Sequence, residues 1–324
     1  MLNSPHDHFF KKVFSQKEIA RDFIENYLPK ELTKIINTKE LKIVKDSFID
    51  KELKNSFSDM VYKVDIHNNP GYLYLLFEHK SYPDKLVSFQ LLKYLTKIWD
   101  LHLKQNNTNK LPFILPLVVY HGREKYNISL KFSSLLAKEK VLKEYIPDFK
   151  YLLYDFSQYS HTEIIGSVQS RLFLKIIQNI FKDDFEKELD EIFSLFRELN
   201  DTNTVLEYFE TAMRYIINVR EISIQNLKTK VNKTIPERSG DLMSLGEKLR
   251  KEGRKEGRIE GLKEGKLENL RETISIQLTK KLNINKMPDQ ISQKINSANI
   301  EELEKIRDNI FEIDSLDEVK KYLN

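Results

Sequence analysis

The chain contains no cysteine among its 324 residues, which excludes disulfide bonds and metal sites built from thiolates. No uncharged apolar run reaches the roughly 18 residues that a membrane-spanning helix needs. The N-terminal stretch MLNSPHDHFFKK lacks the apolar segment of a signal peptide. We therefore expect a cytoplasmic protein that does not cross a membrane.

Charge of one sign is also lacking, because 53 Lys and Arg stand against 49 Asp and Glu, for a net charge of +4. This balance is compatible with a polyanionic partner but does not argue for one. The chain has no glycine-rich P-loop and no GxSxG motif, which argues against nucleotide hydrolysis and serine esterase chemistry. No HxxxH or HExxH spacing occurs, so we expect no zinc site.

What is present is a mixed pattern of helices and strands, which predicts an α/β core over residues 1–160. Two helices start the chain, with a break near Ser15 and an end at Pro29. An amphipathic helix is predicted from Leu86 to Leu103. Strands are predicted at 41–49, 56–67, 72–78, 112–120 and 150–156. The sequence NNPG, at 68–71, supplies the turn that joins the second and third strands into a hairpin.

The second half of the chain carries only helical patterns. Residues 161–234 are predicted to form a helical extension packed on the core, and 269–324 a small helical C-terminal module. Between them, residues 235–268 include Gly253, Gly257, Gly261 and Gly265, at four-residue spacing among Lys, Arg and Glu. Two interpretations stay open for this stretch: a solvated, marginally helical linker, or one helix of a close-packed pair. The second would make the chain a homo-oligomer through its C-terminal helices.

The stretch YLYLLFEHKS indicates where chemistry could occur. Six apolar residues predict a strand buried on both faces, yet this strand runs into Glu78, His79 and Lys80. Glu78 and Lys80 are two residues apart, so their side chains leave a strand on the same face. Asp59 lies near the start of the preceding strand, and antiparallel pairing would bring it beside them.

Two carboxylates at one sheet edge are suitable ligands for Mg²⁺, with Mn²⁺ as the alternative. The backbone carbonyl of His79 would complete the ligands from the chain. The Lys80 ammonium could orient or deprotonate a water molecule and stabilise charge on phosphorus. A D…ExK pattern alone is weak, and taken alone it favours a simple exposed ion pair at the strand end over a catalytic site.

The order of hairpin, ExK and then the helix with QLLKY resembles the PD-(D/E)xK nuclease superfamily and the QxxxY element of its RecB-like branch. The stretches HDHFFKKVFSQKEIARDFIENYLP, SDMVYKV, YLYLLFEHKSYPDKLVSFQLLKYL, LPFILPLVVYHG and LMSLGEKLRKEG together resemble the recombination-promoting nuclease (Rpn) family, which is also described as transposases. The resemblance spans roughly residues 5–255.

This resemblance implies a restriction-endonuclease-like mixed sheet flanked by helices, followed by an all-helical C-terminal region. It implies a metal-dependent endonuclease that hydrolyses phosphodiester bonds of DNA and promotes recombination. The family motif falls on Asp59, Glu78 and Lys80, with Gln90 as the contribution of the helix. Many relatives carry Gln in place of Lys80, so the lysine here favours an intact site.

Four further residues are candidates for an accessory role. Asp7 of the HD start and Tyr94 of QLLKY follow from the resemblance, whereas His121 and Arg123 follow an apolar strand and could contact phosphates. A core tyrosine would explain Tyr94 equally well, and a solvated turn would explain His121 and Arg123. For Gln90 the alternative is a polar position at the boundary of the core. The alternative function is a non-catalytic DNA-binding or oligomeric assembly protein that retains the nuclease fold.

Overall fold

The computed structural model describes residues 4–44, 58–78, 82–136, 144–199 and 202–323. The chain divides into two compact units, Met1–Leu245 and Gly246–Asn324. The five strands are β1 (Ile36–Ile43), β2 (Ser58–Ile66), β3 (Asn69–Glu78), β4 (Phe113–Tyr120) and β5 (Leu152–Asp155). The α-helices of the first unit are α1 (Pro5–Phe14), α2 (Lys17–Tyr27), α3 (Lys30–Thr33), α4 (Val87–Asn106), α5 (Val168–Asn179), α6 (Phe185–Arg197), α7 (Thr202–Arg220) and α8 (Ile224–Thr234).

The strands form one mixed sheet in the order β1-β2-β3-β4-β5. Strands β1, β2 and β3 pair antiparallel, whereas β3, β4 and β5 pair parallel. The central strand β3 is buried along its apolar run, as expected for a strand covered on both faces. The carboxyl ends of β3, β4 and β5 therefore lie along one edge of the sheet, and Glu78 is the last residue of the central strand.

Helices cover both faces of this sheet. On one face, α4 packs Val87, Leu91 and Tyr94 into a cluster with Leu76 and other apolar residues of the strands. On the opposite face, the ring of Phe77 stacks on Phe10 of α1 at 4.3 Å and lies 6.4 Å from Phe173 of α5. Alternate residues of β3 thus face two different helical layers, which is the arrangement that its continuous apolar sequence predicts.

Two predicted bounds were wrong. The first strand runs from Ile36 to Ile43, earlier than the predicted 41–49, of which residues 45–49 lie outside the described residues. Its pairing with β2 shifts register between Asn37 and Lys42, and this irregularity breaks the alternation that sequence patterns rely on. The hairpin turn lies one residue earlier than NNPG, at His67 and Asn68, which both have positive φ.

The second unit begins within α9 (Ser239–Lys281) and continues with α10 (Asp289–Ser297), α11 (Ile300–Asp308) and α12 (Leu316–Lys320). Apolar residues of these helices form its own core, including Ile274, Leu278, Ile295 and Ile306, each with no exposed surface. Residues 251–266 of α9 are exposed throughout, and a Cβ added at any of its four repeated glycines would meet nothing within 4 Å.

Candidate functional site

The hairpin of β2 and β3 brings two of the predicted site positions together. Asp59 pairs with Leu76, and Ser58 pairs with Phe77. Residues directly opposite in an antiparallel ladder share a face, and faces alternate with a period of two. Position 59 therefore lies on the face that carries Leu76 and Glu78, one strand away from Glu78 and near its level. His79 and Lys80 lie outside the described residues.

Glu78 is a buried carboxylate at the edge of the sheet, with 2% of its surface exposed. Its backbone carbonyl accepts a hydrogen bond from the backbone N–H of His121 at 2.9 Å, which continues the pairing with β4. Burial of a carboxylate is costly unless polar groups or cations offset the loss of hydration. A buried Glu where three strands end is therefore a feature that core packing alone does not explain.

Tyrosines and further carboxylates surround this edge on the same face. Glu78 pairs with Tyr120 of β4, and Tyr120 pairs with Asp155 of β5, so all three share one face. Burial, together with the charges of Asp155, Glu124 and Glu78, raises the pKa of Tyr120 to about 12. Burial also raises the pKa of Tyr126, and the charge of Glu78 contributes to the same direction. The carboxylates of Glu78, Glu124 and Asp155 thus lie near enough to Tyr120 to affect its pKa, and negative charge there favours a cation.

Helix α4 covers this face and runs antiparallel to β3. The ring of Tyr94 stacks on Tyr74 at 5.0 Å, and further along the helix the Tyr72 hydroxyl lies 3.1 Å from His102 Nδ1. From Tyr94 back to Val87, where the helix starts, is about 10.5 Å at 1.5 Å per residue. From Tyr74 to Glu78 is about 13 Å at 3.3 Å per residue. The start of α4 therefore lies near the level of Glu78, and Gln90, about 6 Å from Tyr94 along the helix, lies near the level of Leu76.

Gln90, in the first turn of α4, fits a polar role better than a packing role. Its side chain is half-buried, and among the described residues its amide Nε2 is buried without a hydrogen-bond partner. An unsatisfied buried amide costs free energy, so such a group usually has a role or a further partner. Tyr94, four residues on, lies in the core cluster with 3% of its surface exposed.

The other accessory candidates lie on the opposite face of the sheet. His121 is buried, and its Nε2 lies 3.1 Å from the hydroxyl of Tyr215 in α7. The same hydroxyl lies 2.8 Å from Nδ1 of His6. Asp7 follows His6 in the first turn of α1, where its backbone N–H donates to Ser4 Oγ. The side of the sheet that α4 covers thus contains positions 59, 78, 90 and 94, whereas Asp7 and His121 lie on the opposite side.

Arg123 is exposed, and its guanidinium lies over the ring of Phe181 at 5.4 Å. The histidine–tyrosine link was missed by sequence reasoning, since His6 and Tyr215 are 209 residues apart. Asp155 was missed as well, although its position directly after the apolar residues of β5 is a signal that could have revealed it. The catalytic and metal-binding roles of all these residues stay predictions.

The predicted ligands, two carboxylates and a backbone carbonyl, are of the kind that a hard divalent cation binds. Carboxylate and carbonyl oxygens are the ligands that Mg²⁺ and Mn²⁺ prefer, and the negative charge near Tyr120 acts in the same direction. Within the described residues no cluster of three or more His, Cys, Asp or Glu could hold a metal ion. The predicted set differs from such a cluster, because it consists of two carboxylates and a backbone carbonyl, and the Asp59 side chain and His79 are not described.

The described helices include none that is long and apolar enough to span a membrane. The five-stranded mixed sheet flanked by helices and the helical C-terminal region confirm the predicted fold class, the α/β fold of PD-(D/E)xK nucleases. The profile of the family described as "Putative transposase, YhgA-like" matches residues 4–207, more than half of the chain. The chain belongs to this family.

Several relatives from Escherichia coli K12 share the Rpn name. The inactive recombination-promoting nuclease-like protein RpnE is 29% identical over 260 residues, which cover 79% of this chain and 84% of RpnE. The recombination-promoting nuclease RpnA is 29% identical over 256 residues, 78% of this chain and 85% of RpnA. The recombination-promoting nuclease RpnC is 38% identical over 119 residues, 37% of this chain and 39% of RpnC. No solved structure matches the chain significantly.

Proposed function

We propose that this chain is a metal-dependent DNA endonuclease that hydrolyses phosphodiester bonds and promotes recombination. The observation that carries the proposal is the register of β2 and β3, which has position 59 and the buried Glu78 on one face at the sheet edge. The relatives named recombination-promoting nucleases support the same class of activity. DNA is then the partner, and the cytoplasm of a bacterium is where the protein would meet it.

Each residue of the site has a distinct role in this proposal. Asp59, Glu78 and the His79 carbonyl hold Mg²⁺ or Mn²⁺, which when bound supplies Lewis-acid chemistry at the phosphate and the attacking water. Lys80 orients the water molecule or takes its proton, and stabilises charge on the phosphate oxygens. Gln90 donates a hydrogen bond from its buried amide to a water molecule or a phosphate oxygen at the same edge.

A plasmid-nicking assay with Mg²⁺, Mn²⁺, Ca²⁺ and EDTA tests this function. Asp59→Ala and Glu78→Ala should lose metal affinity and nicking together. Lys80→Ala should bind metal and DNA but cut slower by on the order of 10²-fold, as expected when an acid–base or charge-stabilising group is lost. Glu124→Gln is the matched control, because Glu124 is exposed and lies outside the proposed metal site, and it should nick as wild type does. Unchanged nicking by all three alanine variants would refute the proposal.

The second candidate is a non-catalytic DNA-binding or assembly protein that retains the fold. The observation that favours it is the naming of RpnE as inactive, although RpnE matches most of this chain. DNA binding without metal-dependent cutting by the wild-type chain would favour this candidate. The presence of Asp59, Glu78 and Lys80 in the sequence favours the endonuclease.

We further propose that the chain self-associates through α9, in the exposed part of the helix. Residues 251–266 repeat the pattern Lys-Glu-Gly-Arg every four residues, with Ile259 and Leu262 in place of two basic residues. Successive residues of an α-helix are rotated by about 100° around its axis. The Glu before each glycine therefore lies on one side of the glycine stripe, and the residue after it, mainly Arg or Lys, lies on the other side. Two parallel copies that meet along their glycines would place Glu opposite Arg on both sides. An antiparallel pair would place Glu opposite Glu.

A further inference from the structure

An exposed apolar surface follows the strand that ends in Glu78. Tyr82, Leu86 and Phe89 expose 63%, 57% and 44% of their surfaces. Leu86 and Phe89 are three residues apart at the start of α4, so they lie side by side on the helix surface. We call this pair, with Tyr82, the apolar knob. Large exposed apolar groups that cluster in this way usually mark an interaction site.

The apolar knob lies beside the candidate site. Only residues 79–81 separate Tyr82 from Glu78, so their Cα atoms are within about 15 Å of each other at 3.8 Å per residue. The stacking of Tyr94 on Tyr74 puts the start of α4, with Leu86 as its N-cap, near the level of Glu78. Phe89 follows three residues later, within the first turn. A DNA strand bound at the candidate site can therefore contact the knob as well.

Basic residues flank the knob in the sequence. Lys85, Lys93 and Lys97 occur between positions 85 and 99, and this stretch contains no Asp or Glu. The Lys93 ammonium lies 4.8 Å from the centre of the Phe89 ring. The nearest acid on the chain, Asp84, accepts a hydrogen bond from the backbone N–H of Leu86 at the helix start. Phosphate groups would pair with the lysine ammonium groups, and flat apolar groups would pack against the Phe89 ring and Leu86.

We propose that the apolar knob contacts unstacked nucleobases of DNA, with Lys85 and Lys93 on the adjoining phosphates. This inference rests on the proposed function and names its substrate class: DNA that contains unpaired or easily unstacked bases. Aromatic side chains stack on exposed bases, and apolar side chains insert between base steps that open readily. A regular duplex hides its base faces and would contact only the lysines.

The test is fluorescence-anisotropy binding of the full chain in EDTA, where the proposed metal-dependent cutting does not occur. The probes are a single strand, a duplex with an unpaired bubble, and the fully paired duplex. A Leu86→Ala/Phe89→Ala variant should bind the first two probes about 5- to 100-fold more weakly, as expected for loss of base stacking. Its affinity for the paired duplex should change less than twofold, and Phe89→Trp should bind all three probes as wild type does.

Two controls test whether the effect is specific to the knob. One removes an exposed ring elsewhere, and the other removes a charge beside the Phe89 ring. Phe113→Ala removes a phenylalanine that is 71% exposed at the start of β4, the opposite end of the sheet from Glu78, and should bind as wild type does. Lys93→Gln should weaken all three probes alike and reduce the dependence of log K on log salt by about 1.

The possible failures are distinguishable. Equal binding of every probe by wild type and the double variant would overturn the base-contact proposal alone and leave the endonuclease proposal standing. The same holds if the double variant loses self-association instead, because the knob would then be a protein-binding surface. If wild type binds none of the probes, the proposed function itself fails, and this inference fails with it.

Discussion

The hydroxyl of Tyr215 connects three segments behind the candidate site, and its deletion provides a measurable test of the structure. It lies 2.8 Å from His6 Nδ1 and 3.1 Å from His121 Nε2. Tyr215→Phe keeps the ring, which stacks on Phe9 at 4.4 Å, and removes both hydrogen bonds. A hydrogen bond contributes about 0.5–1.5 kcal/mol, so the free energy of unfolding should fall by about 1–3 kcal/mol.

Denaturant unfolding, followed by circular dichroism, measures this loss. Tyr62→Phe is the matched control, because its side chain is likewise buried, at 1% exposed, and its hydroxyl donates a hydrogen bond to the Phe14 carbonyl at 2.8 Å. Its loss should be about 0.5–1.5 kcal/mol, half that of Tyr215→Phe. A loss at Tyr215 equal to or smaller than that at Tyr62 would refute the double hydrogen bond.

Three further predictions concern pH, packing and assembly. Burial and the charge of Lys63 lower the pKa of His102, so the unfolded chain binds its proton more readily than the folded chain does. The free energy of unfolding should therefore fall as the pH drops below about 6.5, and a His102→Gln variant should lose this part of the pH dependence. Gly71→Ala would place a Cβ 2.4 Å from Ile66 Cδ1, so it should destabilise by about 1–3 kcal/mol in urea unfolding. An Ile66→Ala background should remove most of that cost, and simple additivity would contradict the contact. Finally, the full chain should be a dimer by light scattering, and replacing Glu256 and Glu260 by Lys should weaken it; a monomer at the highest soluble concentration would rule out association through α9.

Much of the fold could be predicted because local patterns agree with the tertiary structure. The apolar run of β3 indicates a strand buried on both faces, and the helical spacing of Leu91, Leu95 and Ile98 indicates α4. The placement of Asp59 near Glu78 follows from hairpin pairing, which depends on a short connection. These features depend on residues close in sequence, and such local features are the ones that a single sequence reveals best.

The rest depends on contacts that no local pattern contains. The register shift in β1 disrupts alternation, so its bounds could not be read from the sequence. The turn at His67 and Asn68 uses two non-glycine residues with positive φ, whereas glycine signals pointed further along the chain. The link from His6 through Tyr215 to His121 joins both ends of the first unit. The negative charge around Tyr120 likewise arises only when three strand ends meet.

The central claim is that Glu78 helps to hold the metal that serves DNA cutting. The most direct measurement is a titration of the full chain with Mn²⁺, followed by electron paramagnetic resonance, for wild type, Glu78→Gln and the control Glu124→Gln. Glu124 is exposed and also contributes to the raised pKa of Tyr120. The account predicts that Glu78→Gln loses Mn²⁺ binding and nicking together while Glu124→Gln keeps both. Mn²⁺ binding by Glu78→Gln as tight as that of wild type would contradict it.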